Sequence, residues 1–175
     1  YLYTNPSGDR FWYDTRPTLR KTVEDRATQV AASDVDYEIE TRLRAVKKEQ
    51  PFAGIHVCPS SSLDVPDDQA VRLVVLRPTD VYKASNPNNS AMTAVVDILN
   101  NRGTTPRIYR NMVAFVAPEQ DLMLSLKQTV RRYLAWKSIR EDSEDLNLDA
   151  AQNRETDNNL ARFNRAVDDQ IKEAY

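Results

Sequence analysis

Arg107 and Arg110, with Tyr109 between them, lead into the apolar run Met112-Val-Ala-Phe-Val116. Guanidinium groups at a strand entrance present forks of N–H donors that match phosphate oxygens, as a phosphate clamp or an arginine finger does. The competing reading is ion pairing or solvation at a sheet edge, because structural pairs imitate functional ones. Arg77, ahead of Pro78, stands at another strand end and invites the same two readings. His56 and Cys58 lie two apart on a strand-like run, so their side chains are expected on one face. A metal centre needs about four ligands, and the sequence offers no others beside them. A thiolate nucleophile would need a supporting oxyanion site. Cys58 is therefore read as core and His56 as hydrogen-bonded or exposed. Arg10, Trp12 and Arg16, with Phe11 and Tyr13, combine aromatic faces with cations, the pairing that stacks bases and holds phosphates in nucleic-acid sites. Alternation along the strand sends Trp12 to one face and its two aromatic neighbours to the other, so one of those faces is expected in the core. Tyr133 and Trp136 are read as helix-packing residues.

Composition bounds these readings. The chain has 175 residues, enough for one domain with a substantial core, and a formal net charge of -2, which gives no overall field drawing it to nucleic acid. Its single cysteine excludes an internal disulfide and suits a reducing cytoplasm. The three glycines stand singly, so there is no glycine-rich phosphate loop. No apolar run approaches the roughly 20 residues of a membrane span. The sequence starts at Tyr1, inside strand-like sequence, and is expected to be a piece of a longer protein.

The elements follow from periodicity. Tyr1–Thr4 and Arg10–Thr15 flank the turn cluster Asn5-Pro-Ser-Gly-Asp9 and predict a β-hairpin. Pro17 fits the first turn of a helix carrying Val23, Ala27 and Val30. Ser33 with Asp36 resembles a capping box for a second helix striped by Val35, Ile39, Leu43 and Val46 and ended at Pro51. Phe52–Cys58, Val71–Leu76 and Ile108–Val116 read as buried strands. Pro59–Gln69 reads as a loop too short for a crossover helix, so the first two strands are expected to pair antiparallel. Ser85–Ser90 caps a helix with Met92, Val95, Val96 and Leu99 inward, stopped at Gly103. Leu122, Leu126, Val130 and Leu134 stripe a long helix. After the polar break Arg140–Asp145, a last helix lines up Leu160, Phe163, Val167 and Ile171 for docking in cis or on another chain. The fold class is α/β: a small, mostly parallel or mixed sheet of about three to five strands with packed helices, an N-terminal hairpin and a C-terminal helix. The organisation is hairpin, a β-wing candidate, and helical segment at 1–50, α/β core at 51–140 and helical extension at 141–175.

Five ordered segments carry a resemblance: Arg10–Leu19, Phe52–Pro59, Val71–Pro78, Arg110–Pro118 and Arg132–Trp136. Together, across about residues 1–140, they resemble the C-terminal part of a prokaryotic AAA+-like P-loop ATPase family, the domain-of-unknown-function family four hundred and ninety-nine. That family is related to phage-defence and DNA-methyltransferase-associated ATPases. The Gly-Lys-Ser/Thr phosphate loop of the family is absent from this sequence. The resemblance implies an accessory module without its own cofactor. ATP and magnesium would belong to the longer protein, and Arg107 and Arg110 would be the phosphate contacts. Expected partners are the rest of the same polypeptide, a second copy in a homo-oligomer, or DNA, with no membrane. The rival class is a binding module that recruits DNA or a protein through the hairpin or the terminal helix. Whether the fragment is itself an enzyme is left open.

Overall fold

In the computed structural model, which describes residues 2–4, 8–9, 11–13, 18–45 and 52–175, the centre is a parallel three-stranded sheet. Strands β1 (Leu2–Thr4) and β2 (Phe11–Tyr13) pair antiparallel, with Tyr3 opposite Trp12, as the aromatic runs predict. Helices α1 (Leu19–Gln29) and α2 (Ala32–Ala45) follow. Thr18 caps α1, its hydroxyl accepting from the Lys21 N–H. Pro17, Val46 and Pro51 lie outside the described residues. Ser33 sits inside α2 rather than capping it, and its hydroxyl contacts neighbouring Asp34.

Strands β3 (Gly54–Val57) and β4 (Arg72–Val75) pair in parallel, correcting the antiparallel expectation. The return needs no long helix. A 3-10 turn at Ser62–Asp64 carries the chain back, and fully buried Val65 packs on the sheet where a crossover helix would place a residue. Helix α3 (Ser90–Asn100) is capped by Asn89, whose side chain accepts from the Met92 N–H. Ala91, Ala94, Val95 and Ile98 face the sheet, while Met92 and Val96 are exposed. This set has the same i, i+3, i+4, i+7 spacing as the expected one, shifted by one residue. The alanines let the helix approach closely.

A short hairpin, β5 (Asn101–Arg102) and β6 (Thr105–Pro106), follows α3 directly, so Gly103 is a hairpin residue and not a helix stop. Its φ of +62° lies in the left-handed region that favours glycine, and a Cβ there would push against the side chain of exposed Leu63. Strand β7 (Val113–Val116) is shorter than the expected 108–116 because Arg110–Met112 form a 3-10 turn. It pairs parallel with β4, giving the order β3-β4-β7.

Helix α4 (Gln120–Glu141) and helix α5 (Ala150–Ala174) form a long helical pair. Met123, Leu126 and Val130 of α4 are buried, whereas Leu122 is exposed. On one sheet face, Val57, Val75 and Cys58 meet α2, α4 and α5. On the other, Val74, Leu76 and Phe115 meet α3. The far half of α4 forms a third cluster with Leu19 and Val23 of α1, centred on Trp136. Val167 and Ile171 of α5 join the sheet-side cluster, and Leu160 and Phe163 join the α1 cluster. The terminal helix thus docks in cis, and residues from all three sequence segments share the cores. Among the described residues no helix is long and apolar enough to cross a membrane.

Candidate functional site

Open parallel sheets bind ligands where the strands end at their carboxyl edge. Here each strand is followed by a proline: Pro59 after β3, Pro78 after β4 and Pro118 after β7. Lacking an N–H, each proline withholds a pairing donor, which favours stopping all three strands near one rim. Between the β3 and β4 exits and α3 lies a cavity of about 90 Å³ lined by Ser60, Ser61, Ser62, Arg77, Asp80 and Asp97.

Most polar groups of this rim bond to one another or to neighbouring segments of the chain. The Ser60 N–H, the Ser60 hydroxyl and the Ser61 N–H all donate to Asp64 Oδ2, at 2.7, 2.8 and 3.1 Å. Two successive N–H groups converging on one oxygen make an anion cradle, and the chain's own carboxylate fills it. The Ser60 hydroxyl bond, with the two N–H bonds, holds the Asp64 carboxyl below its usual range. Arg77 grips Asp80 with Nε at 2.9 Å from Oδ2 and Nη2 at 3.3 Å from Oδ1, and this bond raises the already high Arg77 pKa. Ser62 is buried and its hydroxyl accepts from the Gly103 N–H.

A second cavity, about 310 Å³, runs along the outer side of β3, lined by Arg44, His56, Cys58, Ser60 and Asp64. His56 and Cys58 do not share one face as their strand spacing predicts. Cys58 follows the last strand residue at φ +51°, a left-handed turn that breaks the alternation and carries its thiol into the core with α2, α4 and α5. Burial pushes that thiol up to about 12, so it stays protonated. His56 Nε2 is buried with no hydrogen-bond partner. Desolvation, reinforced by nearby Arg72, lowers the His56 pKa and keeps the ring neutral.

The sign of that shift sets a pH dependence. A neutral ring favoured by the fold gives stability that is fully present above the unfolded value of about 6.5 and is lost as pH falls from there through the lowered folded pKa. Urea midpoints are expected to drop on acidification below about pH 6.5, before the carboxylates titrate. His56→Gln should remove that part of the slope. An unchanged slope in the variant would assign it to other groups.

The predicted arginines sit at the opposite, amino-terminal edge. Arg107 is buried, with 3% of its surface exposed. Its guanidinium donates to the carbonyls of Ile98 (2.7 Å), Pro66 (2.8 Å) and Val65 (3.0 Å), with Asp67 at 3.9 Å. Burial lowers its pKa against the opposing pull of Asp67. Asp67 in turn accepts from the N–H groups of Ile108 and Tyr109. Arg107 thus ties the β3–β4 crossover, the end of α3 and the approach to β7 into one knot, an unforeseen role. Arg110 is exposed, and its Nε donates to the nearby Arg107 carbonyl at 3.3 Å. Arg77 lies at the far edge, so the sheet does not assemble the three arginines. Arg10 and Arg16 lie outside the described residues, and for Trp12 only the backbone, in β2, is described.

The remaining site elements are structural. Tyr133 packs under the Arg42 guanidinium at 4.7 Å, and Arg42 also binds Glu38 and Asp168, linking α2, α4 and α5. Tyr175 donates its hydroxyl to the Leu76 carbonyl at 3.2 Å, and the Glu119 N–H donates to the Ala174 carbonyl at 2.9 Å. The end of α5 is thereby fixed to the carboxyl rim. Among the described residues, no three His, Cys, Asp or Glu side chains group as metal ligands would. The Ser61-x-x-Asp64 spacing is the one sequence signal that could have revealed the filled cradle. Compared with protein-family models, with curated proteins and with solved structures, the chain finds no match.

Proposed function

We propose that this chain is an accessory α/β module of an AAA+-like ATPase in prokaryotic defence or DNA-modification machinery, completing or transmitting ATP-site chemistry carried by the rest of the longer protein. The observation that carries this reading is where the resembling segments fall. Phe52–Pro59, Val71–Pro78 and Arg110–Pro118 are the three neighbouring strands of one sheet with their proline stops, and Arg132–Trp136 lies on α4 behind it. The filled cradle at Ser60–Asp64 supports the accessory role, because the loop that would greet a phosphate already holds a carboxylate.

ATP and magnesium then belong to the longer polypeptide. Of the two arginines, Arg110 is the one with a guanidinium exposed for a phosphate, while Arg107 serves the fold. The alternative of a recruiting terminal helix is less favoured, since Val167 and Ile171 are already buried in cis.

Two measurements test the reading. Calorimetry of the chain alone with Mg-ATP should show no micromolar binding; tight binding would overturn the accessory role. In the longer ATPase, Arg110→Ala should cut turnover by about 10³-fold if it acts as a finger, with the melting temperature unchanged. Unchanged turnover would return Arg110 to surface ion pairing.

A further inference from the structure

His56 stands on edge strand β3 opposite Val74, so its ring lies on the α3 face of the sheet. Gly54, two residues earlier on that face, makes room for it. A Cβ on Gly54 would stand 2.8 Å from Arg72 Nη1 and 3.2 Å from His56 Nε2, so a guanidinium and an imidazole nitrogen converge over bare backbone. Asp68 holds Arg72 there, accepting from Nη2 at 2.6 Å and from Nε at 3.2 Å. The buried Nε2 has no hydrogen-bond partner. In the neutral ring it presents a lone pair to the cation. Protonated, it would set a second positive charge beside the first and leave a buried donor unbonded.

Charged groups act on the ring from the elements around it. Burial, then Arg72 of β4 and, more weakly, Arg107 of the approach to β7 oppose its protonation, while Asp64 of the 3-10 turn favours it through carbonyl and carboxylate. The ring has an outlet. It lines the cavity of about 310 Å³ along the outer side of β3, together with Ser60 and Asp64. Arg44 of α2 lines that cavity too, its charge shared with Glu40 at 3.5 Å. The Asp64 carboxylate is exposed, stays ionised in mild acid, and is gripped by the N–H groups of Ser60 and Ser61.

We propose that Pro59–Asp64 is an acid-operated latch: on protonation His56 leaves its place over Gly54, enters the outer cavity and takes the Asp64 carboxylate, which lets go of the Ser60 and Ser61 N–H groups. The exchange trades an unbonded buried donor beside a like charge for an ion pair in contact with water. It works where the ring is charged and Asp64 is still ionised. Above about pH 6.5 the ring is neutral and the latch stays closed. The release is bounded along the chain. Val65 is fully buried, Arg107 holds the Val65 and Pro66 carbonyls, and Asp67 holds the Ile108 and Tyr109 N–H groups. The freed N–H pair is the anion cradle of the carboxyl rim, beside the cavity that Ser60 and Ser61 share with Arg77. Mild acid thus turns a rim filled by its own carboxylate into one open to an outside anion.

Nuclear magnetic resonance of the whole chain from about pH 7.5 to about pH 4.5 tests the latch. The His56 ring C–H signals should titrate. With the same midpoint, the Ser60 and Ser61 amides should lose about tenfold in protection, after correction for intrinsic exchange. The amides of Ile108 and Tyr109, bonded to Asp67, and of Leu126 in the core should keep theirs. His56→Gln, whose side chain takes up no proton, should hold Ser60 and Ser61 protected throughout. The wild-type spectra decide alone if that variant does not fold. Ser60 and Ser61 amides that stay protected while the ring titrates would overturn the latch. So would a ring that never titrates in this range, release at the same pH in His56→Gln, or loss of protection at Leu126 with the same midpoint.

Discussion

Arg107→Ala is expected to destabilise the fold by about 3 kcal/mol or more, read as a fall in the urea midpoint with an unchanged slope. The alanine leaves three carbonyls, of Val65, Pro66 and Ile98, without the donor that now meets them, inside a region that excludes water. It also leaves the Asp67 carboxylate, little exposed, without its neighbouring cation. Arg107→Lys should recover only part of the loss, because one ammonium cannot reproduce a planar fork reaching three acceptors. Arg110→Ala, at an exposed position, should stay within about 0.5 kcal/mol of wild type. The contrast separates two arginines that stand three apart in sequence. A wild-type midpoint for Arg107→Ala would mean that water takes over its bonds.

Val167→Asp should have a comparable or larger effect. Val167 is 0% exposed and packs with Val35, Ile39, Leu126 and Val130. A carboxylate placed there has no cation within the cluster and must be buried charged or take a proton, at a cost of several kcal/mol. Phe163→Asp should cost less, because Phe163 is only half-buried against the α1 cluster. Thermal melting with far-ultraviolet dichroism distinguishes the outcomes. Loss of α5 alone would appear as a partly helical intermediate, while a single transition at lower temperature means that the helix belongs to the common core. A melting temperature unaffected by Val167→Asp would contradict docking in cis.

The apolar strands were legible because each run is short, β-rich and bounded by proline or polar loops, as Val71–Leu76 shows before Arg77-Pro78. The α5 stripe was legible for the opposite reason, a long periodic pattern on an otherwise polar helix. Strand direction was not. It depended on whether Pro59–Gln69 could cross over without a helix, and Val65 answers that only by where it packs. The face of α3 was missed because alanine is weakly hydrophobic, so the exposed valine and methionine dominated the pattern. At the site, arginine type and spacing pointed to a strand entrance but carried no sign of depth. Burial of Arg107 is decided by carbonyls from segments about 10 and 40 residues away, which sequence does not bring together. The parting of His56 from Cys58 turns on one positive φ at a residue other than glycine, a conformation sequence rarely announces.

Helix α4 belongs to two clusters at once, its first half pressed on the sheet and its second half gripping α1. At 22 residues it is about 33 Å long. A close-packed rod of that length, held at both ends, transmits displacement rather than absorbing it. A tilt of about 5° pivoting at the sheet would carry its far end through about 3 Å, enough to move Trp136 against Leu19 and Val23. Force applied near α1 would therefore register at the proline-lined rim as torque on the exit of β7.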